Sequence, residues 1–109
     1  MPKEDIRRTV QLHLGEVRQC YERALGRWET LAGRITIQFT IANPGTVCAA
    51  QVGTSSIPDV ELGNCIVRAV AGWRFPPVTG EGQILVTYPF IFREQSARAA
   101  AQAESGNAP

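Results

Sequence analysis

Between Gln83 and Phe92 the chain reads Gln-Ile-Leu-Val-Thr-Tyr-Pro-Phe-Ile-Phe, a run of strand formers with a proline inside it. Proline has no N–H to give to a ladder, so within sheets it is confined to edges, strand starts and bulges. This strand is therefore expected at the edge of its sheet. An open edge is either blunted against unwanted pairing or used to take up another chain as an added strand. Gln83, Ile84, Leu85, Val86, Thr87, Tyr88 and Pro89 are accordingly the candidate partner-binding edge.

The other elements follow from periodicity. From Glu4 to about Arg27 apolar residues fall at Ile6, Val10, Leu14, Val17, Tyr21, Ala24 or Leu25, and Trp28, a 3.6-residue stripe that predicts one long amphipathic helix. Residues 34–41 alternate strictly, with Ile35, Ile37, Phe39 and Ile41 on one face, as in a strand with one wet side. Asn43-Pro44-Gly45 fits a type II turn with proline second and glycine third. A returning strand, Thr46 to about Thr54, carries Val47, Ala50 and Val52 out of parity, which fits a bulge. Ser55 and Ser56 as hydroxyl caps, Pro58 and Asp59 then open a second helix, expected to bury Leu62, Ile66, Ala69, Val70 and Trp73. Phe75-Pro76-Pro77 stops it, Thr79–Gly82 is a turn, and the proline-bearing strand follows.

The order is α-β-β-α-β, an α+β fold with two helices packed on one face of a three-stranded antiparallel sheet. If the second helix carries the chain past one strand, the third strand lies beside the first, in the order 2-1-3. Pro89 then falls on an edge, as its chemistry requires.

The chain has 109 residues, 44% of them hydrophobic, which suits one modest domain. That domain is expected over residues 1–93, followed by a flexible tail over 94–109 rich in Ala, Gln and Ser. Eleven Lys plus Arg oppose ten Asp plus Glu. The even balance, and the mixing of Arg with Glu on the first helix, argue against nucleic acid as a partner. No apolar run approaches 18 residues and no signal-peptide pattern opens the chain, so any membrane anchor is expected outside it. The abrupt start and soft end read as a domain of a longer protein.

Cys20, Cys48 and Cys65 lack metal-type spacing. They fit small apolar core residues in a reducing compartment, or one disulfide and a spare thiol in an oxidising one. His13 and Cys20 lie on one face of the first helix, but no orienting group or oxyanion loop accompanies them, so catalysis is not expected. The formal set His13, Cys20, Cys48 and Cys65 is too scattered for zinc, and no cofactor or small-molecule substrate is expected. Tyr21, Trp28, Trp73 and Phe75 suit core packing better than a ligand groove.

Taken in order, Cys20-Tyr21-Glu22, Gly33-Arg34-Ile35-Thr36-Ile37, Gly45-Thr46-Val47, Ser55-Ser56, Cys65, Trp73-Arg74-Phe75-Pro76-Pro77 and Tyr88-Pro89-Phe90-Ile91-Phe92 resemble the AgmX/PglI C-terminal domain family. That family is a branch of the TonB C-terminal-like domains common in myxobacteria, and the likeness spans about Ile6 to Arg93. Its motif positions here are Tyr21, Trp73, Phe75, Pro76, Phe90 and Phe92. The resemblance implies a periplasmic domain of an inner-membrane-anchored protein, gripping an outer-membrane or periplasmic partner through its last strand in an energy-transducing or gliding-motility machine. It also implies a Cys20–Cys65 disulfide, with Cys48 left as a thiol outside the family pattern. The alternative is a structural envelope module that dimerises through the same edge; either way the chain is expected to be a monomer or weak dimer.

Overall fold

A computed structural model describes residues 2–77 and 82–93 of the chain. The expected tail at 94–109, and the expected turn at 79–82 except for Gly82, lie outside the described residues. The elements are α1 (Lys3–Leu12), α2 (Leu14–Leu25), β1 (Gly33–Ala42), β2 (Thr46–Ser55), α3 (Val60–Ala71) and β3 (Gln83–Phe92). The three strands form one antiparallel sheet in the order β2-β1-β3. β1 is thus central, and β2 and β3 are both edges.

The inner face of the sheet is written in the alternation of its sequences. Ile35, Ile37, Phe39 and Ile41 of β1 stand opposite Phe90, Tyr88, Val86 and Ile84 of β3, and all but Ile84 are buried. Val17, Cys20, Tyr21 and Ala24 of α2, with Leu62, Ile66 and Val70 of α3, complete the same core. Each large apolar side chain buried there contributes about 1.5–3 kcal/mol relative to exposure.

The first helix is broken at a point the periodicity does not reveal. His13 has φ −108° and ψ 12°, and its N–H donates to the carbonyl of Val10, so α1 ends and α2 begins around it. The apolar spacing carries on across the break, whereas His13 and Gly15 are both weak helix formers. Trp28 also departs from the expected stripe. Helix α2 ends at Leu25, and Trp28 lies beyond it, 40% exposed.

β2 bears two bulges rather than one. Thr36 and Ile37 pair with Thr54 and Val52, leaving Gly53 over; Thr40 and Ile41 pair with Ala49 and Val47, leaving Cys48 over. In the preceding turn the Gly45 N–H donates to the carbonyl of Ala42, so Pro44 is third in the turn rather than second, and the Asn43–Pro44 peptide is cis. Gly45 has φ 141°, and a Cβ there would run into the backbone carbonyl of Phe75. The Phe75 N–H in turn donates to the Gly45 carbonyl at 2.8 Å, fastening the segment after α3 to the β1–β2 turn.

α3 is capped by Asp59 rather than by the serines. Asp59 Oδ1 accepts the N–H of Leu62, while Oδ2 accepts both Nε and Nη2 of Arg27 at 3.0 and 2.8 Å. Its carboxylate therefore caps one helix and ties it to the residues just after α2, which is why an acid can be buried here. Ser55 and Ser56 serve the approach instead, accepting the N–H groups of Ile57 and Arg34. Ala69 is only half-buried, while Gly63, whose added Cβ would meet Val52 at 2.9 Å, lets α3 lie close against β2.

Candidate docking edge

β3 is anchored at its C-terminal end. At its C-terminal end the Tyr21 ring stacks on Phe92 with centroids 4.8 Å apart, and the Tyr21 hydroxyl reaches the carbonyls of Leu31 and Arg93. On the inner face Tyr88 and Phe90 lie against each other with ring centroids 5.2 Å apart. Val86, Tyr88, Phe90 and Phe92 are buried and Ile84 is half-buried. On the outer face Gln83, Leu85 and Thr87 are exposed, Leu85 by 82%, and Pro89 is half-buried opposite Thr36.

The two edges of the sheet differ. β2 is interrupted at Cys48 and Gly53, and Thr46 at its start is taken by a bridge to Arg74. Bulges and covering segments of this kind blunt an edge against pairing. β3 pairs with β1 through ten consecutive residue pairs, Gly33 with Phe92 to Ala42 with Gln83, without a shift of register. A ladder that runs evenly through Pro89 fits a ring nitrogen turned away from β1, since proline has no donor to give it.

Beside this edge runs a groove of about 420 Å³, walled by Lys3, Ile6 and Arg7 of α1 and by residues 85–89 of β3. Sequence reasoning did not place α1 here. Nothing in the helical stripe tells which strand a helix end will flank.

The second cluster lies at the helix break. His13 stacks on Trp73 with centroids 4.8 Å apart, and Glu16 joins them: Oε1 accepts the Trp73 indole N–H at 3.0 Å and Oε2 lies 3.0 Å from His13 Nδ1. The Trp73 hydrogen bond holds the Glu16 carboxyl below its ordinary pKa; the hydrogen bond and charge of His13 act the same way, against the opposing effect of partial burial. The folded pKa is depressed, so the stabilising contribution is present at neutral pH and is lost as pH falls through the folded value. Trp73→Phe keeps a ring there but removes the donor, and the Glu16 titration followed by side-chain NMR is expected to move upward; an unmoved midpoint would contradict the assigned cause.

Two further motif residues follow Trp73 along the chain. Phe75 is buried, stacked on Phe39 at 5.5 Å, and Pro76 is half-buried beside it, while Arg74 is exposed. Cys20 of α2 and Cys65 of α3 are joined in a disulfide, with Cα atoms 5.8 Å apart. A disulfide fits an oxidising compartment. With its sulfur in that bond, Cys20 is not available as a thiolate nucleophile for His13 to activate. Cys48 is exposed on β2, away from both, so the three cysteines and His13 are not gathered into one site. No helix among the described residues is long and apolar enough to cross a membrane.

No family model matches the chain, and no curated protein matches it. Two solved structures are similar. The solution NMR structure of the Pseudomonas aeruginosa TonB CTD shares 29% identity, covers 70% of this chain and 78% of its own, and has a TM-score of 0.53. The NMR solution structure of the Helicobacter pylori TonB-CTD shares 19% identity, covers 76% and 81% respectively, and has a TM-score of 0.52, a likeness of fold alone. The architecture of this chain is that of a TonB C-terminal-like domain.

Proposed function

We propose that the chain is a non-enzymatic periplasmic interaction domain of an inner-membrane-anchored envelope protein, which captures an extended segment of an outer-membrane or periplasmic partner as a fourth strand beside β3. The observation that carries this is the contrast between the edges. β3 is ten residues long and regular, and among the described residues no strand other than β1 pairs with it, whereas β2 is bulged twice and bridged by Arg74. A long regular edge left uncovered is a template for pairing, and main-chain hydrogen bonds supply affinity that alternate side chains then tune. The TonB-like fold and the disulfide support the compartment. The Tyr21, Trp73-Arg74-Phe75-Pro76 and Tyr88-Pro89-Phe90-Ile91-Phe92 positions support the AgmX/PglI branch, and with it a role in a gliding-motility or other energy-transducing machine.

The test is chemical-shift mapping on the labelled domain with envelope extracts and candidate peptides. Shifts are expected to concentrate at Gln83–Pro89; a binding site elsewhere would overturn the reading. Within it, Pro89 has a definite task. With its nitrogen on the open side, the donors facing a partner come at Leu85 and Thr87 and are missing at Pro89, so docking ends there.

A second reading, a module that dimerises through its own β3, rests on the same open edge and differs only in the occupant. Sedimentation over a concentration series separates them, since a persistent monomer removes the second. Pro89→Val restores the missing donor and lengthens the open edge, and is expected to leave the fold intact but to increase self-association. An unchanged oligomeric state in that variant would refute the role assigned to Pro89.

A further inference from the structure

We infer that Cys65 is the sulfur at which thiols enter the Cys20–Cys65 bond, and that the site favours small anionic thiols. A thiolate attacks one sulfur of a disulfide, forms a mixed disulfide with it and expels the other, so access decides where exchange begins. The two ends of this bond differ in access. Cys20 is 3% exposed and belongs to the buried core, whereas Cys65 is half-buried on α3 and only packs against that core. Leaving-group quality acts the other way. Cys20, expelled into apolar surroundings, leaves less readily than an exposed sulfur would, because burial raises a thiol's pKa. That slows exchange at Cys65, but a thiolate unable to reach Cys20 has no faster route. The bond is thus a modification site as well as a brace.

The charges around Cys65 supply the selectivity. Arg23 Nη1, reaching across from α2, lies 3.5 Å from Cys65 Sγ. Among the described residues Arg23 enters no ion pair. On α3, Glu61 and Arg68 flank Cys65 at about one turn to either side and pair with each other at 3.9 Å, so they offset locally. The acids of α2 are placed elsewhere: Glu16 is held by Trp73 and His13, and Glu22 lines a hollow with Arg18 and Gln19. A cation beside the sulfur under attack draws anionic thiols and stabilises the negative charge that the entering sulfur brings. In the step itself the thiolate forms an S–S bond to Cys65 and the Cys20–Cys65 bond breaks. Cys20 leaves with the electron pair and takes a proton from water. One disulfide replaces another, so no oxidant or further reductant is needed. Return attack by Cys20 on Cys65 restores the bridge and releases the small thiol.

The test uses the folded 109-residue chain carrying Cys48→Ser, which removes the exposed free thiol. It is exposed to mercaptoethanesulfonate or to uncharged mercaptoethanol at equal thiolate concentration. Samples are alkylated at early times, before a second thiol completes the reduction, and mapped by peptide mass spectrometry. The adduct is expected on Cys65, with the alkyl group on Cys20. Its formation is expected to be about threefold or more faster with the sulfonate, an advantage that shrinks in salt. Arg23→Gln should remove that advantage; Arg23 is exposed, so the variant retains the fold. An adduct on Cys20, equal adducts on both cysteines, or none on the folded chain overturns Cys65 as the point of entry. An adduct on Cys65 that forms equally fast with both thiols, or is indifferent to Arg23→Gln, overturns the selectivity for anions.

Discussion

Reduction of the Cys20–Cys65 disulfide, or its replacement by alanines, is expected to lower the unfolding free energy by up to about 4 kcal/mol. The bond closes a segment with a sequence separation of 45. In the chain-entropy model a loop of that length corresponds to about 4 kcal/mol at room temperature, less any strain in the native state. For a domain of this size the whole stability is typically about 5–15 kcal/mol, so the loss would be a large share of it. The bridge lies where it constrains most. It joins α2 to α3, the two helices that cover the sheet, and these are otherwise linked through β1, β2 and their connections. Urea unfolding with and without reductant measures the effect, and a change of midpoint under about 0.5 kcal/mol equivalent would contradict it. Thiol titration of the denatured, unreduced chain should find Cys48 alone.

How much of this architecture could be read beforehand depended on whether the cause was local. The alternation of residues 34–41 specified a strand and its inner face because sheet periodicity acts within a few residues. Pro89 specified an edge because a missing donor is a property of one residue, and the strand order then followed from the single crossover through α3. The break at His13 is different. Ile6, Val10, Leu14 and Val17 keep helical spacing across it, and the groups that engage His13 and Glu16 come from Trp73, far along the chain. Asp59 belongs to the residues that open α3 in the sequence, but its position as the cap depends also on Arg27 just after α2. The wall of the groove beside β3 is the least legible part. Lys3 and Arg7 look like solvated helix charges, and only the packing of α1 brings them to β3.

The role of β3 itself can be tested with a single backbone atom. Thr87→Pro is expected to abolish partner docking while leaving the domain folded. With the nitrogen of Pro89 directed away from β1, the N–H of Thr87, two residues earlier, faces the same open side. Proline there would remove that donor without taking one from the β1–β3 ladder, and the Thr87 side chain is exposed, so the core is untouched. An incoming strand would lose a central hydrogen bond, bury an unpaired carbonyl and meet the proline ring. The unpaired group alone costs about 1–3 kcal/mol, roughly fivefold to more than a hundredfold in affinity. Thr87→Ala is the control: it removes the side chain, keeps the N–H, and should bind nearly as well as the parent. Titration of a β3-binding peptide into both variants, with circular dichroism to check folding, distinguishes backbone pairing from side-chain recognition. Equal binding by a folded Thr87→Pro would mean that β3 does not pair with its partner through this edge, because a lost central hydrogen bond must show as weaker binding.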